Sequence, residues 1–304
     1  MSLASLIKGR RGANGFGYAS TAEEVSEGVD LTGKSFLITG VNSGLGQETA
    51  RVLAMRGATV LGAARTEEKA REACASFAGA VPVACELGDP DSVRSAIAKV
   101  KEQGSLAGLI ANAGIMALPK RELLHGQEKQ FYVNHVGHFQ LVTGLLDSVA
   151  DDGRIVILSS SAHGMAPKGG IQFDDLTFEH GYKGWTAYGQ SKLANLLFAK
   201  ELSRRLEGKG PVANACHPGV IATNLGRHMS LGMRILMPIG AALTFKTIPE
   251  GAATQTYLAA NPAAATVTGE YYADCNPAKH SRYARDADMA KKLWDVTERI
   301  LAEL

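Results

Sequence analysis

Short apolar runs alternate with segments of helical pattern along most of this chain, and no other feature limits its fold as strongly. The runs span residues 35–39, 59–64, 81–86, 109–112, 154–158, 212–217 and 269–273. Short runs that are mostly apolar are typical of strands buried on both faces of a sheet. Because parallel strands need long crossovers, the alternation predicts a parallel sheet covered by helices.

A glycine-rich turn follows the first predicted strand directly, with the sequence Thr-Gly-Val-Asn-Ser-Gly-Leu-Gly at residues 39–46. Glycines let the backbone turn sharply and approach a ligand closely, and the next helix offers free amides to a pyrophosphate. Such turns also serve packing, but the position after the first strand favours a nucleotide site. The predicted cofactor-binding residues of this turn are Gly40, Asn42, Ser43, Gly44, Leu45 and Gly46.

These features predict an α/β fold: a single doubly wound Rossmann-type domain with a mostly seven-stranded parallel sheet flanked by helices. We place an N-terminal arm at residues 1–30 and the domain at residues 31–304. Helices are predicted at residues 44–56, after an Asp89 cap and Pro90, and at residues 126–149, 185–206 and 288–304.

The end of the second predicted strand indicates which dinucleotide binds. NAD-selective sites carry an acidic residue there, which holds the ribose 2′-hydroxyl, whereas an arginine accommodates a 2′-phosphate. This chain has Arg65 at that place and no carboxylate within the strand end at residues 62–65. We therefore expect NADP(H) rather than NAD(H), although Arg65 in a solvated loop is the plainer alternative.

Tyr188 and Lys192 stand near the start of a strongly patterned helix, and residues at this spacing share one helix face. A free tyrosine has a pKa of about 10. The neighbouring ammonium, together with an oxidised nicotinamide, is expected to lower the pKa of Tyr188 and so suit it to proton transfer. Upstream, the fifth predicted strand ends in Ser159, Ser160 and Ser161, where a hydroxyl could orient a substrate oxygen.

Together these motifs resemble the short-chain dehydrogenase/reductases, over roughly residues 30–300. The resemblance rests on residues 39–46, 111–114, 134, 159–161, 188, 192 and 218–219, which occur in the family's order. Residues 20–25, 188–195 and 217–227 are similar to the branch that includes retinol-dehydrogenase-like and WW-domain-oxidoreductase-like enzymes.

The resemblance implies a role for each matching residue. Ser160 would be the catalytic serine, Asn134 would hold a water that relays protons to Lys192, and Lys192 would also hold the nicotinamide ribose. Tyr188 would be the acid/base and contact the cofactor. The remaining implied cofactor contacts are Glu86, Leu87, Asn112, Ala113, Gly114, Pro218, Gly219, Ile221 and Thr223.

Two features depart from the family pattern. The spacing between Ser160 and Tyr188 is long, which leaves Ser159 and Ser161 as alternatives for the catalytic serine. Glu86 stands where the family usually has an aspartate facing the adenine.

The expected activity is hydride transfer between nicotinamide and a hydrophobic alcohol, aldehyde or ketone. An apolar segment at residues 226–249, rich in Met and Leu, is predicted to cover the substrate. Packing against its own domain or a partner subunit is an equal alternative for this segment. A reductase of activated carbon–carbon double bonds and a nucleotide-sensing scaffold are the alternative functions.

Composition restricts the partners. A formal net charge of +2 gives no reason to expect nucleic acid as a partner. Four scattered cysteines predict reduced thiols, no metal site and a cytoplasmic location. No apolar stretch is long enough for a membrane span. The family resemblance also allows a homo-oligomer.

Overall fold

A computed structural model describes residues 11–221 and 245–304 of the chain. The strands are β1 (Ser35–Thr39), β2 (Thr59–Ala64), β3 (Val81–Ala84), β4 (Leu106–Ala111), β5 (Leu123–Leu124), β6 (Gln127–Glu128), β7 (Val149–Leu158), β8 (Val212–His217), β9 (Tyr271–Ala273) and β10 (Asn276–Pro277). Eight of them form one sheet in the order β10-β9-β8-β7-β4-β1-β2-β3. Only β10 pairs antiparallel in this sheet, so the predicted core of seven parallel strands is confirmed.

The helices flank this sheet. They are α1 (Ala22–Val25), α2 (Gly44–Met55), α3 (Glu67–Cys74), α4 (Pro90–Lys101), α5 (Lys129–Phe131), α6 (Gly137–Gly144), α7 (Gly184–Arg205), α8 (Ile248–Ala260) and α9 (Ala287–Ala302). Asp89 caps α4 by accepting a hydrogen bond from the backbone of Asp91 at 3.0 Å, and Pro90 opens the helix as predicted. Within the described ranges, no helix combines the length and apolarity that crossing a membrane requires.

Each face of the sheet has its own hydrophobic core. Successive side chains of β1 alternate between the two: Leu37 belongs to the core that contains Trp294 of α9, whereas Phe36 and Ile38 belong to the core that contains Tyr257 of α8. All three β1 side chains are almost completely buried. The doubly wound arrangement therefore follows from strands that are apolar on both faces.

The helix predicted at residues 126–149 is present but shorter: a continuous helical stretch runs from residue 129 to residue 144 and contains a π-bulge. The chain first forms β6, and the side chain of Glu128 then accepts a hydrogen bond from the backbone of Phe131 at 2.9 Å, which starts α5. A π-helical segment, Tyr132–Val136, separates α5 from α6. The side-chain cap sets the start of the helix at residue 129, and the π-bulge shifts the helical register without ending the helix.

Part of the predicted N-terminal arm packs on the domain. Thr21 and Glu24 form a capping box around α1, whose Ala22 and Val25 are fully buried. Ahead of α1, the side chain of Asn14 donates a hydrogen bond to the carbonyl oxygen of Cys275 at 2.6 Å. The arm thus covers the sheet edge at β9 and β10.

Gly137 lets α6 lie directly against the loop that follows β3. A Cβ atom at Gly137 would stand only 2.2 Å from the carbonyl oxygen of Leu87. Both atoms would be fixed to backbone, so neither could move away cheaply. This contact fixes how closely the helical segment that carries Asn134 approaches the loop after β3.

We therefore expect Gly137→Ala to lower the free energy of unfolding by about 1–3 kcal/mol, as overpacking typically does, although alanine is the better helix former. Chemical denaturation followed by circular dichroism measures the change. Gly164→Ala is the matched control, because a Cβ atom there meets nothing within 4 Å. Equal stability of the two variants would contradict the assigned contact.

Candidate active site

The hydroxyl of Thr39 joins the carboxyl ends of β1 and β4. Its Oγ1 atom accepts hydrogen bonds from the backbone nitrogens of Asn112 and Ala113, each at 2.9 Å. It also lies 2.9 Å from Nε2 of His138. With two bonds accepted, the hydroxyl donates its own proton to His138, so Nε2 is the acceptor of that bond.

The predicted phosphate turn lies above this junction. Gly40 and Gly44 have φ angles of 75° and 61°, a conformation that favours glycine. A Cβ atom at Gly46 would stand 2.3 Å from the carbonyl oxygen of Gly40 and 2.6 Å from Nδ2 of Asn112. Asn112 uses the same nitrogen to donate to the carbonyl oxygen of Thr39 at 2.7 Å. The turn is therefore pressed against β4 and needs a glycine at this contact.

The N-terminus of α2 suits an anion. Ser43 is the N-cap residue, but its side chain makes no capping hydrogen bond, and the first turn contains no acidic residue. Asn42 and Ser43 are exposed, and Leu45 is half-buried. The first amides of α2 and the positive end of its dipole thus face the turn without a side-chain anion. These residues fit the pyrophosphate of a dinucleotide.

The predicted cofactor contacts at the ends of β2 and β3 differ in whether their side chains already bond to the protein. Arg65 is exposed, and among the described residues no carboxylate forms an ion pair with it. Glu86 instead folds back, and its Oε1 atom accepts a hydrogen bond from the backbone of Gly88 at 3.0 Å. Leu87 is buried. Arg65 is thus free to meet a phosphate, whereas the adenine contact of Glu86 stays a prediction.

Asn134 lies in the π-helical segment and is tied on three sides. Its Oδ1 atom accepts from the backbone nitrogen of Ile115 at 2.8 Å, and Nδ2 donates to the carbonyl oxygen of Ile115 at 2.9 Å. Nδ2 also donates to the hydroxyl of Ser191 at 2.9 Å. The backbone carbonyl of Asn134 lies 3.0 Å from Nδ1 of His138. The side chain therefore joins the loop after β4 to α7, and the predicted water site stays a prediction.

Gly114 lies between two predicted catalytic side chains. A Cβ atom there would stand 3.1 Å from Oδ1 of Asn134 and 3.5 Å from Nζ of Lys192. The absence of a side chain at Gly114 brings the loop after β4 close to both groups.

The structure separates the three predicted serines. Ser159 is buried and donates its hydroxyl proton to the carbonyl oxygen of Lys192 at 2.7 Å, so this hydroxyl serves packing. Ser161 is exposed. The hydroxyl of Ser160 lies beside Tyr188 and favours the ionised form of its phenol. Of the three, Ser160 is the hydroxyl at the tyrosine.

Near the start of α7, Lys192 is buried and Tyr188 is half-buried. Desolvation raises the pKa of Tyr188 to about 12, against the neighbouring Ser160, which favours the ionised form. Burial also lowers the pKa of Lys192 to about 8. In this structure desolvation outweighs the effect of Ser160, so the pKa of Tyr188 shifts upward. The lowering expected beside an oxidised nicotinamide stays a prediction. Lys192 Nζ lies 5.7 Å from the Tyr188 ring centroid and donates to the carbonyl oxygen of Leu158 at 3.1 Å.

The loop after β8 holds the last predicted contacts. Pro218 and Gly219 follow β8 directly, Gly219 has a φ angle of 92°, and Ile221 pairs with Lys246 in an isolated bridge. Lys246 is buried, and its Nζ atom lies 2.6 Å from Oδ1 of Asp274. Thr223 lies outside the described residues, as does most of the predicted substrate segment at residues 226–249.

Sequence reasoning missed three side chains around the site. His138 and His163 lie close after Asn134 and Ser160, but nothing in the sequence distinguishes them from ordinary core histidines. Trp185 is 42% exposed, and its ring centroid lies 6.0 Å from that of Tyr188 in a T-shaped contact. Its position three residues ahead of the tyrosine, within one helical turn, is the only signal that could have found it.

Comparison with known proteins identifies the family. The family model for short chain dehydrogenase matches residues 34–173. Short-chain dehydrogenase TIC 32 A, chloroplastic, from Brassica napus is 42% identical over an alignment that covers 100% of both chains. Retinol dehydrogenase 14 from Homo sapiens is 40% identical, with 88% of this chain and 86% of the human protein covered.

Solved structures are similar as well. A crystal structure of a protein from Mycobacterium paratuberculosis has a TM-score of 0.75 and 36% identity, covering 91% of this chain and 97% of that one. A blue fluorescent protein from a metagenomic library, in complex with NADPH, has a TM-score of 0.63 and 25% identity, covering 80% of this chain and 96% of that one. Given 42% identity over its whole length to a family member, the chain belongs to the short-chain dehydrogenases, a family of nicotinamide-dependent oxidoreductases.

Proposed function

We propose that this chain is an NADP(H)-dependent carbonyl reductase or alcohol dehydrogenase that acts on hydrophobic substrates, with Tyr188 as the acid/base. The observation that carries the proposal is the position of the half-buried Tyr188 beside Ser160, on the helix that also carries the buried Lys192. A phenol in this setting keeps its proton at neutral pH. It is therefore ready to donate to a carbonyl oxygen.

The residues around the glycine turn would hold the cofactor. The amides at the start of α2 would bind the pyrophosphate, and Arg65 would bind the 2′-phosphate through charge-assisted hydrogen bonds. When bound, NADP(H) supplies the donor or acceptor of the hydride exchanged with the substrate carbon. The similarity to a protein solved with NADPH supports the choice of nucleotide.

The chain's own groups move the proton. During reduction, Tyr188 gives its proton to the carbonyl oxygen as that oxygen becomes an alkoxide, and during oxidation it takes the proton back. Ser160 orients the same oxygen by hydrogen bonding. The ammonium of Lys192 stabilises the phenolate that the reduction leaves behind.

The surroundings of Tyr188 favour an apolar substrate. Trp185 contacts its ring, and Met165, which is 49% exposed, belongs to the segment packed on Gly189. Large apolar side chains beside a few polar groups are typical of small-molecule sites. The similarity to retinol dehydrogenase 14 agrees with a hydrophobic alcohol or carbonyl compound. Homo-oligomerisation and a cytoplasmic location stay predictions from the sequence.

Tyr188→Phe should lower kcat for reduction by about a hundredfold or more, because general acid catalysis contributes on that scale. NADPH oxidation against a panel of apolar aldehydes, ketones and enones measures this, with NADPH binding followed by fluorescence. Tyr132→Phe is the matched control, because among the described residues its buried hydroxyl has no hydrogen-bond partner. Unchanged turnover in Tyr188→Phe would refute the acid/base role, and turnover of enones alone would favour a carbon–carbon double-bond reductase.

Arg65→Asp should reverse the nucleotide preference, because it replaces a phosphate-binding cation with the acid typical of NAD sites. We expect kcat/KM for NADPH to fall about tenfold to a hundredfold, the range of a charged hydrogen bond, while that for NADH holds or rises. Lys69→Asp, at an exposed position of α3, controls for the general change in charge. A parallel loss with both nucleotides would show that Arg65 does not read the 2′-phosphate.

The pH profile of reduction should report Lys192. Its ammonium loses a proton as the pH rises through about 8, so kcat/KM should decline above that pH. Tyr188 cannot cause this decline, because burial raises its pKa to about 12. In Lys192→Arg, whose guanidinium stays charged, the decline should move to higher pH. A profile with the same descending limb in both proteins would assign that limb to another group.

A further inference from the structure

His163 bridges the Ser160 loop and the C-terminal part of the chain. Its Nε2 atom accepts a hydrogen bond from the backbone nitrogen of Ser281 at 3.0 Å. Its Nδ1 atom lies 2.6 Å from the carbonyl oxygen of Ser160. The imidazole is buried and meets the ring of Tyr271 in a T-shaped contact, with centroids 5.1 Å apart. Three separate parts of the chain therefore fix this ring.

These partners determine which nitrogen of His163 carries the proton. A backbone N–H can only donate, so Nε2 must offer its lone pair to Ser281. Burial lowers the pKa of His163, with a further lowering from His280, and the ring is therefore neutral at neutral pH. In a neutral ring with a free Nε2 lone pair, the proton is on Nδ1. His163 thus donates to the carbonyl oxygen of Ser160.

This bond fixes Ser160 from its backbone side. The same carbonyl oxygen accepts a second hydrogen bond, from the backbone nitrogen of His163 at 3.0 Å. The hydroxyl of Ser160 accepts from the backbone nitrogen of Ala162 at 3.1 Å. Because that bond uses a lone pair, the hydroxyl proton stays available to Tyr188 or to a substrate oxygen. The direction of the Ser160 side chain therefore depends on the position of its carbonyl group.

We propose that His163 is a positioning residue for Ser160, whose hydroxyl it directs through the hydrogen bond from Nδ1 to the Ser160 carbonyl oxygen. This inference rests on the proposed function, in which Ser160 orients the substrate oxygen. In this proposal His163 acts through Ser160 and not on the substrate or the cofactor directly. Its effect belongs to the catalytic step and leaves nucleotide binding unchanged.

Two variants separate the two bonds of His163. In His163→Gln, the longer side chain can still accept from Ser281, but the donor to Ser160 is lost. In His163→Asn, the shorter amide can donate to Ser160, but the bond to Ser281 is lost. We expect His163→Gln to lower kcat about tenfold to a hundredfold, the scale of a small misplacement at a reacting centre, while His163→Asn keeps most of the rate. KM for NADPH should stay within about twofold in both. Equal losses in the two variants, or a rise in that KM, would overturn the proposal.

A double-mutant cycle tests whether His163 acts through Ser160. In a Ser160→Ala background, His163→Gln should cause no further loss of kcat, because the group it positions is gone. A further loss as large as in the wild-type background would assign a general structural role to His163 and overturn the proposal. His180→Gln, at an exposed loop position, is the control for histidine replacement.

The protonation of His163 gives a readout independent of turnover. In the ¹⁵N spectrum of the wild-type imidazoles, with the His163 signals identified by their absence in His163→Gln, the proton should be on Nδ1. A proton on Nε2 would overturn the bridge whatever the activity. If the wild type reduces no carbonyl compound of the panel, the proposed function fails, and this spectrum alone decides whether the bridge exists.

Discussion

The Thr39 hydroxyl holds together the two strand ends on which the site is built. β1 and β4 are neighbours in the sheet, but the chain leaves β1 toward β2 and β3 before it returns on the other side. Strand order reverses at this place, which is where open α/β sheets bind their ligands. The hydroxyl accepts from two consecutive amides of the loop after β4 and contacts His138. His138 in turn bonds the carbonyl oxygen of Asn134. The Thr39 side chain therefore links the nucleotide turn to the π-helical segment.

Burial sets the protonation states of the titratable side chains around these strand ends. It raises the pKa of Tyr188 to about 12 and lowers that of His138 to about 4. Both groups are therefore neutral at neutral pH, and the direction of each hydrogen bond follows from its partners. Lys192, whose pKa falls to about 8, is the buried cation beside them. In a site desolvated in this way, the phenol of Tyr188 keeps its proton. The neighbouring ammonium of Lys192 would stabilise the phenolate that forms when the proton is transferred.

The parallel sheet and the glycine turn could be predicted because apolar runs and glycine spacing are local patterns. For the helix predicted at residues 126–149, the start and the π-bulge could not be predicted, because the start depends on a Glu128 side-chain bond and apolar spacing does not reveal a π-bulge. The upward shift of the Tyr188 pKa could not be predicted, because the desolvation of its phenol depends on distant segments. His138 and His163 could not be predicted for the same reason, since their partners Thr39 and Ser281 are remote in the chain. The family resemblance already favoured Ser160, and the structure sets Ser159 apart by the bond of its hydroxyl to the carbonyl oxygen of Lys192.

The arm that docks beside β10 bears on how copies of this chain could associate. Open strand edges are templates for pairing with other chains. At one end of the sheet, β10 has two residues, one of them Pro277, and Asn276 also bonds the arm through the carbonyl oxygen of Phe16 at 3.0 Å. At the other end, Pro82 removes an amide from the middle of the four-residue β3. Among the described residues, both edges of the sheet therefore oppose its growth from one molecule into the next. Self-assembly is expected to use surfaces other than the sheet edges.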